Sequence, residues 1–129
     1  MTGFTSTREG FERAMALCLT GPQETARQDA EKMVTPDFYQ IINDRRIDYE
    51  TYVAHLAEWR GKTSDYKPKI EEFLRDGDLL AARLVGTIKV EGVDCKFESF
   101  LFAKVAESDG RMTSLIERSI WGPIHESST

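Results

Sequence analysis

The C-terminal half of the chain contains three long strand-like runs joined by short turns, and this pattern constrains the fold more than any other stretch. The predicted strands are Leu79–Val90, Cys95–Val105 and Met112–Trp121. Polar loops that contain glycine, Glu91–Asp94 and Ser108–Arg111, separate them. Such loops between runs of Val, Ile, Leu and Phe are typical of β-hairpins. We therefore predict an antiparallel meander.

The register of these hairpins decides which side chains share a face, because strand side chains alternate with period two. If each hairpin closes symmetrically at its Gly-containing loop, Glu98 lies opposite Gly86 on one side and Ser119 on the other. The inward face then consists of Leu80, Ala82, Leu84, Gly86, Ile88, Glu98, Phe100, Phe102, Leu115, Glu117, Ser119 and Trp121. The outward face consists of Ala81, Arg83, Val85, Thr87, Phe97, Ser99, Leu101, Ala103, Ile116, Arg118 and Ile120. A slip of one residue would exchange the two faces of a strand.

The segment before the meander predicts helices and a short strand. Apolar residues at helical spacing predict a first helix that begins after the N-cap candidates Thr5–Thr7 and ends before Gly21–Pro22. Its apolar stripe consists of Phe11, Ala14, Met15 and Cys18. A second helix is predicted over Gln23–Met33. A strand over Phe38–Asn43 and a turn over Asp44–Arg46 follow.

A third helix is predicted over Tyr49–Arg60, with Asp48 as its N-cap. Its buried stripe consists of Tyr52, Val53, Leu56 and Trp59, with His55 at the border. The segment Lys62–Lys67 is expected to be a polar loop, and Pro68–Leu74 a further strand of the meander. The tail His125–Thr129 is expected to fray.

Helices that precede an antiparallel sheet define an α+β domain in which the helices cover one sheet face. With three helices and about six strands, the long hairpins would curve around the first and third helices. We expect a cone-shaped molecule with a cavity at its open end, formed by one domain over residues 1–129.

Composition excludes several classes of function. The chain is 40% hydrophobic and 30% charged, values typical of a globular protein. A net charge of −5 without a cluster of Lys and Arg argues against a nucleic-acid partner. No apolar run reaches the roughly 20 residues that span a membrane, and the N-terminus lacks a signal-peptide pattern. We expect a cytoplasmic protein without a membrane partner.

The cysteines and histidines do not form a metal-binding pattern. Cys18 and Cys95 stand far from each other in the sequence, and the histidines are His55 and His125. Because this spacing differs from that of zinc sites, we expect no metal and two reduced thiols, at least one of them in the core. No Gly-rich phosphate loop is present either, so no cofactor is predicted.

Several segments carry a resemblance to a known family that covers nearly the whole chain. They are Pro36-Asp37-Phe38, Tyr52–Arg60, Asp76-Gly77-Asp78 with Gly86-Thr87 in the following strand, and Asp109-Gly110-Arg111-Met112. In their order the chain resembles the NTF2-like superfamily, and especially its SnoaL-like branch of small polyketide cyclases, isomerases and dehydratases. The ending Ile116–Pro123 is similar to that of fungal secondary-metabolite members.

The resemblance implies which positions line a pocket. By comparison with steroid-isomerase-like members, it selects Thr113, Leu115, Glu117 and Ser119 on the last strand, Glu98, Phe100 and Phe102 on the preceding strand, and His55 and Leu56 on the third helix. The strand position of the isomerases' general base falls near Tyr39–Ile41, which holds no carboxylate. The resemblance therefore implies the pocket but not steroid isomerase chemistry by the same residues.

Glu117 is the foremost catalytic candidate. A carboxyl group between Leu115 and Ser119 on an apolar face would be desolvated, which raises its pKa toward a value useful for proton transfer. The alternative is an ion pair with Arg83 or Arg118 after a register slip. Glu98 would lie diagonal to Glu117. Two carboxyl groups at such a short distance would titrate separately, one as an acid and one as a base. Alternatively, Glu98 lies at the rim of the sheet in water.

The remaining candidates come from the third helix and from aromatic residues. His55 would act as a base or a donor, or it is a packed residue at the edge of the apolar stripe. Either Tyr39 or Gln40 points inward. An aromatic wall for a flat polycyclic or indole-like substrate would consist of Tyr52, Trp59, Phe100, Phe102 and Trp121, although aromatics at this spacing are also ordinary core. Leu115 and Ser119 complete the predicted substrate site.

The outward face carries Arg83 and Arg118 among apolar residues, which predicts a two-fold homodimer through that surface. Taken with the resemblance, these features lead to the hypothesis of a cofactor-independent isomerase, cyclase or dehydratase that acts on a hydrophobic secondary-metabolite intermediate. The alternative is a non-catalytic small-molecule-binding or dimerising adaptor protein.

Overall fold

The computed structural model describes residues 3–124, so the predicted tail His125–Thr129 lies outside the described residues. The first helix, α1, spans Arg8–Cys18 and is capped by Thr7, whose Oγ1 accepts a hydrogen bond from the Gly10 amide at 3.0 Å. A hydroxyl at this position satisfies one of the free amides at a helix start. The predicted cap region and the predicted apolar stripe of this helix are confirmed, with Phe11, Ala14 and Met15 buried.

The second predicted helix consists of a single 3₁₀ turn, Gln23–Thr25, followed by α2 over Ala26–Met33. The third, α3, spans Tyr49–Lys62, and Asp48 accepts a hydrogen bond from the Thr51 amide at 2.9 Å, as predicted for its cap.

Within residues 3–124, six strands form one curved, mostly antiparallel sheet in the order β2-β1-β6-β5-β4-β3. They are β1 (Val34–Ile42), β2 (Arg45–Asp48), β3 (Thr63–Asp76), β4 (Leu79–Val90), β5 (Val93–Val105) and β6 (Met112–Pro123). Of these six described strands, β1 and β6 are the one parallel pair, and their pairing places the first and last strands side by side. The helices pack on the inner face, so the predicted α+β architecture is confirmed.

Two predicted loops belong to strands instead. Asn43 and Asp44 form a tight turn with φ values of 48° and 73°, so that β2 begins at Arg45 where a turn was expected. Asn and Asp tolerate this left-handed conformation better than other residues with side chains. The predicted polar loop Lys62–Lys67 lies mostly in β3, which begins at Thr63. Because β3 is an edge strand, its polar side chains and its proline can face water without interrupting a ladder.

The predicted register of β5 is wrong by one residue on the side of β4. The connecting turn has only two residues, Glu91 and Gly92, with φ values of 49° and 84°, and Val90 pairs with Val93. Positive φ at both central residues matches the right-handed twist of a two-residue hairpin. As a result Glu98 pairs with Val85 rather than with Gly86.

A β-bulge sets the register on the other side of β5. Val105 pairs with Met112 but Lys104 pairs with Ser114, so Thr113 is an extra residue on β6. The bulge moves the later pairs by one position and leaves Glu98 opposite Ile120. The faces of β4 and β6 are therefore as predicted, and the two faces of β5 are exchanged.

A buried arginine ties the helices together at one end of the core. The side chain of Arg60, on α3, is 0% exposed and lies 2.8 Å from Oδ2 of Asp29 on α2. It also donates to the carbonyl oxygens of Leu17, Cys18 and Pro22. Burial raises the pKa of Asp29, but hydrogen bonds from Arg60 and Lys32 outweigh it, so the net pKa is lowered. This network fixes the end of α1 against α3.

Both cysteines are free thiols, and Cys95 is buried, as predicted. Within residues 3–124, no helix combines the length and apolar character needed to cross a membrane.

Candidate functional site

A cavity of 260 Å³ lies between the inner face of the sheet and the helices α1 and α3. Its polar lining consists of Gln40, Asn43, Tyr52, His55, Tyr66, Ser99, Glu117 and Ser119. Its other lining residues are Met15, Cys18, Leu19, Ile42, Leu56, Trp59, Leu84, Ile88, Val90, Phe97, Leu101, Leu115 and Trp121. An apolar cleft with a few convergent polar groups is the usual form of a ligand site.

Glu117 is the acid of this cavity, and both of its carboxyl oxygens accept hydrogen bonds. Gln40 Nε2 donates to Oε1 at 2.8 Å. The Ser119 hydroxyl donates to Oε2, and Ser119 Oγ lies 2.6 Å from Ser99 Oγ. These donors come from β1, β5 and β6, so the parallel pairing of β1 with β6 is what brings the amide to the acid. A carboxylate offers about four lone-pair sites, so acceptor capacity remains for a ligand.

The surroundings of Glu117 raise its pKa above the usual 4.5, and burial is the main cause. Hydrogen bonds from Ser119, Gln40 and Ser99 oppose the rise because they favour the charged form. No lysine or arginine forms an ion pair with Glu117 in the part of the chain that the structure describes. The predicted desolvation of this carboxyl group is therefore present, and the alternative of an ion pair with Arg83 or Arg118 is not.

Tyr52 and Cys18 form a second polar group beside the acid. Cys18 Sγ lies 3.9 Å from the Tyr52 hydroxyl and 4.0 Å from Met33 Sδ. Burial raises the pKa of Cys18 to about 11 and that of Tyr52 well above 10. Both groups are therefore neutral near pH 7, and the Tyr52 phenol serves as a hydrogen-bonding group rather than as a base.

Asn43 and His55 lie at the rim of the polar end. Asn43 clamps Ser119, since its Oδ1 accepts from the Ser119 amide at 3.0 Å and its Nδ2 donates to the Ser119 carbonyl at 3.2 Å. His55 lines the cavity from α3. Its side chain has no hydrogen-bond or ion-pair partner among residues 3–124, so both ring nitrogens are open to a ligand.

The opposite end of the cavity is aromatic. The rings of Trp59 and Trp121 meet edge to face, with centroids 5.6 Å apart and an interplanar angle of 88°. Tyr66 and Phe97 form a second pair at 5.7 Å. Trp121 is half exposed, which places the tryptophan pair at the mouth.

The structure brings most of the predicted site residues together. The cavity lining includes Glu117, His55, Tyr52, Trp59, Leu115, Ser119 and Trp121. Four residues that were predicted to line the substrate site do not line the cavity: Glu98, Phe100, Phe102 and Tyr39. Thr113, selected by the family comparison, is the extra residue of the bulge and does not line the cavity.

Glu98 and both phenylalanines lie on the outer face because β5 is shifted by one residue. Glu98 forms an ion pair with Arg83 at 3.0 Å, and Arg83 also binds Glu72 at 2.6 Å. Phe100 and Phe102 are 50% and 59% exposed. The predicted pair of catalytic carboxyl groups therefore does not exist, and Glu117 is the one acid in the described lining.

On β1, Gln40 rather than Tyr39 points into the cavity. The ring of Tyr39 packs on the other side under the guanidinium of Arg46, 3.8 Å from the ring centroid. The sequence reasoning also missed Phe97 and Ser99, which the shift of β5 turns inward, and Tyr66, which lay in a predicted loop. The signal that would have found the first two is the dipeptide Glu91-Gly92, read as a two-residue hairpin turn.

Within the described residues, no cluster of three or more His, Cys, Asp or Glu side chains has the arrangement of a metal site. The groups in the cavity are one carboxyl group, hydroxyls, amides, an imidazole and the neutral thiol of Cys18, so the chemistry that they offer is proton transfer and hydrogen bonding.

The sequence matches no protein-family model and no curated protein at a significant level. Solved structures do match the fold. An LEH-like epoxide hydrolase from M. tuberculosis has a TM-score of 0.64 at 16% identity, over 84% of this chain and 81% of that one. IdmH, a proposed polyketide cyclase from Streptomyces antibioticus, has a TM-score of 0.61 at 14% identity, over 84% and 89%.

A de novo designed NTF2 fold protein also matches, with a TM-score of 0.56 at 18% identity, over 86% of this chain and 82% of the design. At these identities the likeness is one of fold. The chain therefore has an NTF2-like fold, as the resemblance in its sequence predicted.

Proposed function

We propose that this protein is a cofactor-independent enzyme of the SnoaL-like kind, which isomerises, cyclises or dehydrates a hydrophobic biosynthetic intermediate by general acid–base catalysis. The observation that carries the proposal is the position of Glu117, a desolvated carboxyl group without an ion-pair partner in the described chain, facing an open cavity. Two neighbours of similar fold bear names that denote enzymes, an epoxide hydrolase and a proposed polyketide cyclase.

In this mechanism the ionised Glu117 removes a proton from the bound substrate. Its raised pKa brings the carboxyl group closer to the basicity that proton abstraction near neutral pH requires. Gln40 and Ser119 hold the carboxylate in one orientation by donating to both oxygens. When Glu117 gains a proton, the Ser119 hydroxyl can turn its donation to Ser99, since either oxygen of that pair can be the donor.

The second half of the reaction returns the proton to a different atom of the substrate or expels water. Glu117, now protonated, is the acid for this step, and His55 would hold or exchange a proton at the rim. The apolar walls keep bulk water from the reacting atoms, which strengthens the polar contacts inside. The tryptophans at the mouth would hold the substrate in the reacting conformation.

A flat carbon acid, 5-nitrobenzisoxazole, tests this role without knowledge of the natural substrate. A carboxylate removes the proton from C3, the C–H electron pair forms the nitrile, and the N–O bond breaks to give a cyanophenolate. We expect Glu117→Gln to lower this rate by about a hundredfold or more. Glu98→Gln, on the opposite face, is the matched control and should react like the wild type. Equal rates for wild type and Glu117→Gln would remove Glu117 from the mechanism.

The proposal also includes a homodimer through the outer sheet face. This face carries exposed Leu74, Phe100, Phe102, Ile116 and Ile120 around the ion pairs of Arg83. Its concave part is lined by the cations Arg8, Arg83 and Arg118 and by the anions Glu71 and Glu72, with Glu98 bound to Arg83. Apolar side chains with a balanced set of charges between them let two chains of net charge −5 meet without strong repulsion.

A dimerising adaptor without catalysis would use the same outer face, and the exposed phenylalanines are the observation that favours it. If the protein is such an adaptor, it should not convert 5-nitrobenzisoxazole. For the enzyme, we propose the cytoplasm as its location, where the free thiols Cys18 and Cys95 would stay reduced.

A further inference from the structure

The cavity has a polar end and an aromatic end, separated along one strand. Glu117 and Trp121 lie on the same face of β6, four positions apart, which corresponds to about 13 Å at the usual rise of a strand. Ser119 stands midway between them. A ligand that touches both ends must therefore be elongated, with the group that meets the carboxyl group at its Glu117 end.

The volume of the cavity limits the size of that ligand. An apolar cavity of about 150 Å³ accommodates a single benzene ring. The cavity here measures 260 Å³, which is less than twice that volume. Two fused rings fill this space, whereas three or four rings exceed it. A single ring bound beside Glu117 would stop near Ser119 and leave the tryptophans without a contact.

The shape of the aromatic end favours a flat ligand. Trp59 comes from the last turns of α3 and Trp121 from the end of β6, so the edge-to-face pair joins two elements across the mouth. Phe97 pairs with Trp121 across β5 and β6, and its ring meets that of Tyr66 at 5.7 Å with an inclination of 33°. Four aromatic side chains thus line this end of the cavity, and a planar ring system can make stacked or edge contacts with them.

The charges of the lining disfavour an anionic ligand. Glu117 carries the one carboxyl group of the described lining, and neither lysine nor arginine is among these residues. A ligand carboxylate, sulfate or phosphate inside the cavity would lie near Glu117 without a compensating cation. Gln40 and Ser119 already donate to Glu117 and use part of its acceptor capacity. A ligand that binds the rest of the carboxylate must bring a hydrogen-bond donor.

We infer that the pocket selects an uncharged, planar, two-ring ligand that donates a hydrogen bond, through a phenolic or enolic O–H or a ring N–H, to the carboxylate of Glu117. The inference rests on the proposed function in that it concerns the same site, and it specifies the class of substrate. The volume of 260 Å³ limits the part of the ligand inside the cavity to about two rings.

Binding of model ligands tests the inference separately from catalysis. Titration calorimetry at pH 8 would compare phenol, 2-naphthol and 9-phenanthrol, which differ in ring number but share the hydroxyl. We expect 2-naphthol to bind at least about tenfold tighter than phenol, because its second ring is buried against the tryptophans. It should also bind at least about tenfold tighter than 9-phenanthrol, since a cavity of this volume cannot close around three rings.

Two further ligands isolate the polar contact. Naphthalene lacks the hydroxyl, and 2-naphthoate carries a negative charge; both should bind at least about tenfold more weakly than 2-naphthol. In Glu117→Gln, 2-naphthol should lose about tenfold in affinity because a bond to a neutral amide replaces a charge-assisted one. Naphthalene binding should not change in that variant. Trp59→Leu should weaken the binding of 2-naphthol more than that of phenol.

Equal or tighter binding of 9-phenanthrol would overturn the size limit, and equal binding of 2-naphthoate would overturn the charge rule. Absence of binding by all five ligands to folded protein would overturn the inference as a whole. Selective binding of 2-naphthol together with unchanged turnover in Glu117→Gln would support the ligand class while rejecting the proposed catalysis. Both readouts use the wild-type fold, which the circular dichroism of each variant verifies.

Discussion

Gln40 Nε2 donates a hydrogen bond to Oε1 of Glu117 at 2.8 Å, although the two residues are 77 positions apart in the sequence. The contact crosses the parallel pair β1–β6, in which Ile42 lies beside Glu117 and Gln40 beside Leu115. It makes the amide of Gln40 part of the environment that sets the proton affinity of the acid. Removing this hydrogen bond should therefore shift the pKa of Glu117 while the fold stays intact.

The variant Gln40→Leu should raise the pKa of Glu117 further, because it removes a donor that favours the charged form. The measurement is a carbon-detected NMR titration of the Glu117 carboxyl group. Tyr39→Phe is the matched control, since Tyr39 is the neighbouring residue on β1 and points to the other face. An unchanged or lower pKa in Gln40→Leu would contradict the role assigned to this amide.

The raised pKa of Glu117 has a consequence for the pH dependence of stability. A carboxyl group that binds its proton more tightly in the folded state stabilises the fold below its unfolded-state pKa, near 4.5. This contribution is lost as the pH rises through the folded-state pKa. The unfolding free energy of the wild type minus that of Glu117→Gln should therefore decrease as the pH rises above 4.5 and then become constant.

Urea unfolding at a series of pH values measures this difference. Glu50→Gln provides a control of opposite sign, because a hydrogen bond from Arg27 lowers the pKa of Glu50 and its contribution is lost as the pH falls. A Glu117→Gln difference that is constant with pH, or that grows as the pH rises, would be inconsistent with a desolvated acid.

The contact of Gly86 with its neighbours tests the register of β4 and β5. A Cβ atom at Gly86 would lie 2.2 Å from the Lys67 carbonyl oxygen and 2.8 Å from Phe97 Cζ. Gly86→Ala should therefore destabilise the fold by about 1–3 kcal/mol and displace Phe97 from the cavity wall. Gly122→Ala is the control, because no heavy atom lies within 4 Å of its Cβ position. Equal unfolding free energies of the two variants would argue against this packing.

Arg60→Leu should be strongly destabilising, since it leaves Asp29 with the exposed Lys32 as its cation and frees three carbonyl acceptors. Breaking a buried ion pair by removing one partner costs about 3–5 kcal/mol. Thermal and urea unfolding would measure the loss. Arg27→Leu breaks the exposed pair with Glu50 and should stay close to the wild type. A loss below about 1 kcal/mol in Arg60→Leu would mean that the network adds little.

The proposed dimer predicts that the chain sediments at twice its mass of 14.7 kDa. Phe102→Asp places a charge in the centre of the outer face and should shift the protein to the monomer. Val93→Asp, at an exposed position beside the β4–β5 turn, is the control and should remain dimeric. A wild-type protein that is monomeric at high micromolar concentration would refute the dimer while leaving the cavity untouched.

Local sequence signals predicted much of this fold. The caps Thr7 and Asp48 are positions where a side-chain oxygen satisfies a helix amide, a strictly local interaction. The inward face of β6 was predicted correctly because Leu115, Glu117, Ser119 and Trp121 follow a single period of two. These features depend on neighbours along the chain, which the sequence displays directly.

The face of β5 could not be predicted in the same way because its two alternatives look alike. Both sets of alternating residues on β5 contain apolar side chains, so hydrophobicity does not choose between Phe97 and Phe100. The choice depends on a two-residue turn at Glu91-Gly92 and on a bulge at Thr113, each of which shifts the pairing by one position. The parallel contact of Gln40 with Glu117 depends on the packing of the whole sheet.

The central claim is that Glu117 removes a proton from a ligand held in the cavity, and the pH dependence of 5-nitrobenzisoxazole opening tests it most directly. For wild type and Glu98→Gln, the rate should rise with pH through a midpoint above 4.5, as the carboxyl group with the raised pKa ionises. Glu117→Gln should give a slow rate without that midpoint. A wild-type profile that matches Glu117→Gln at every pH would contradict the account.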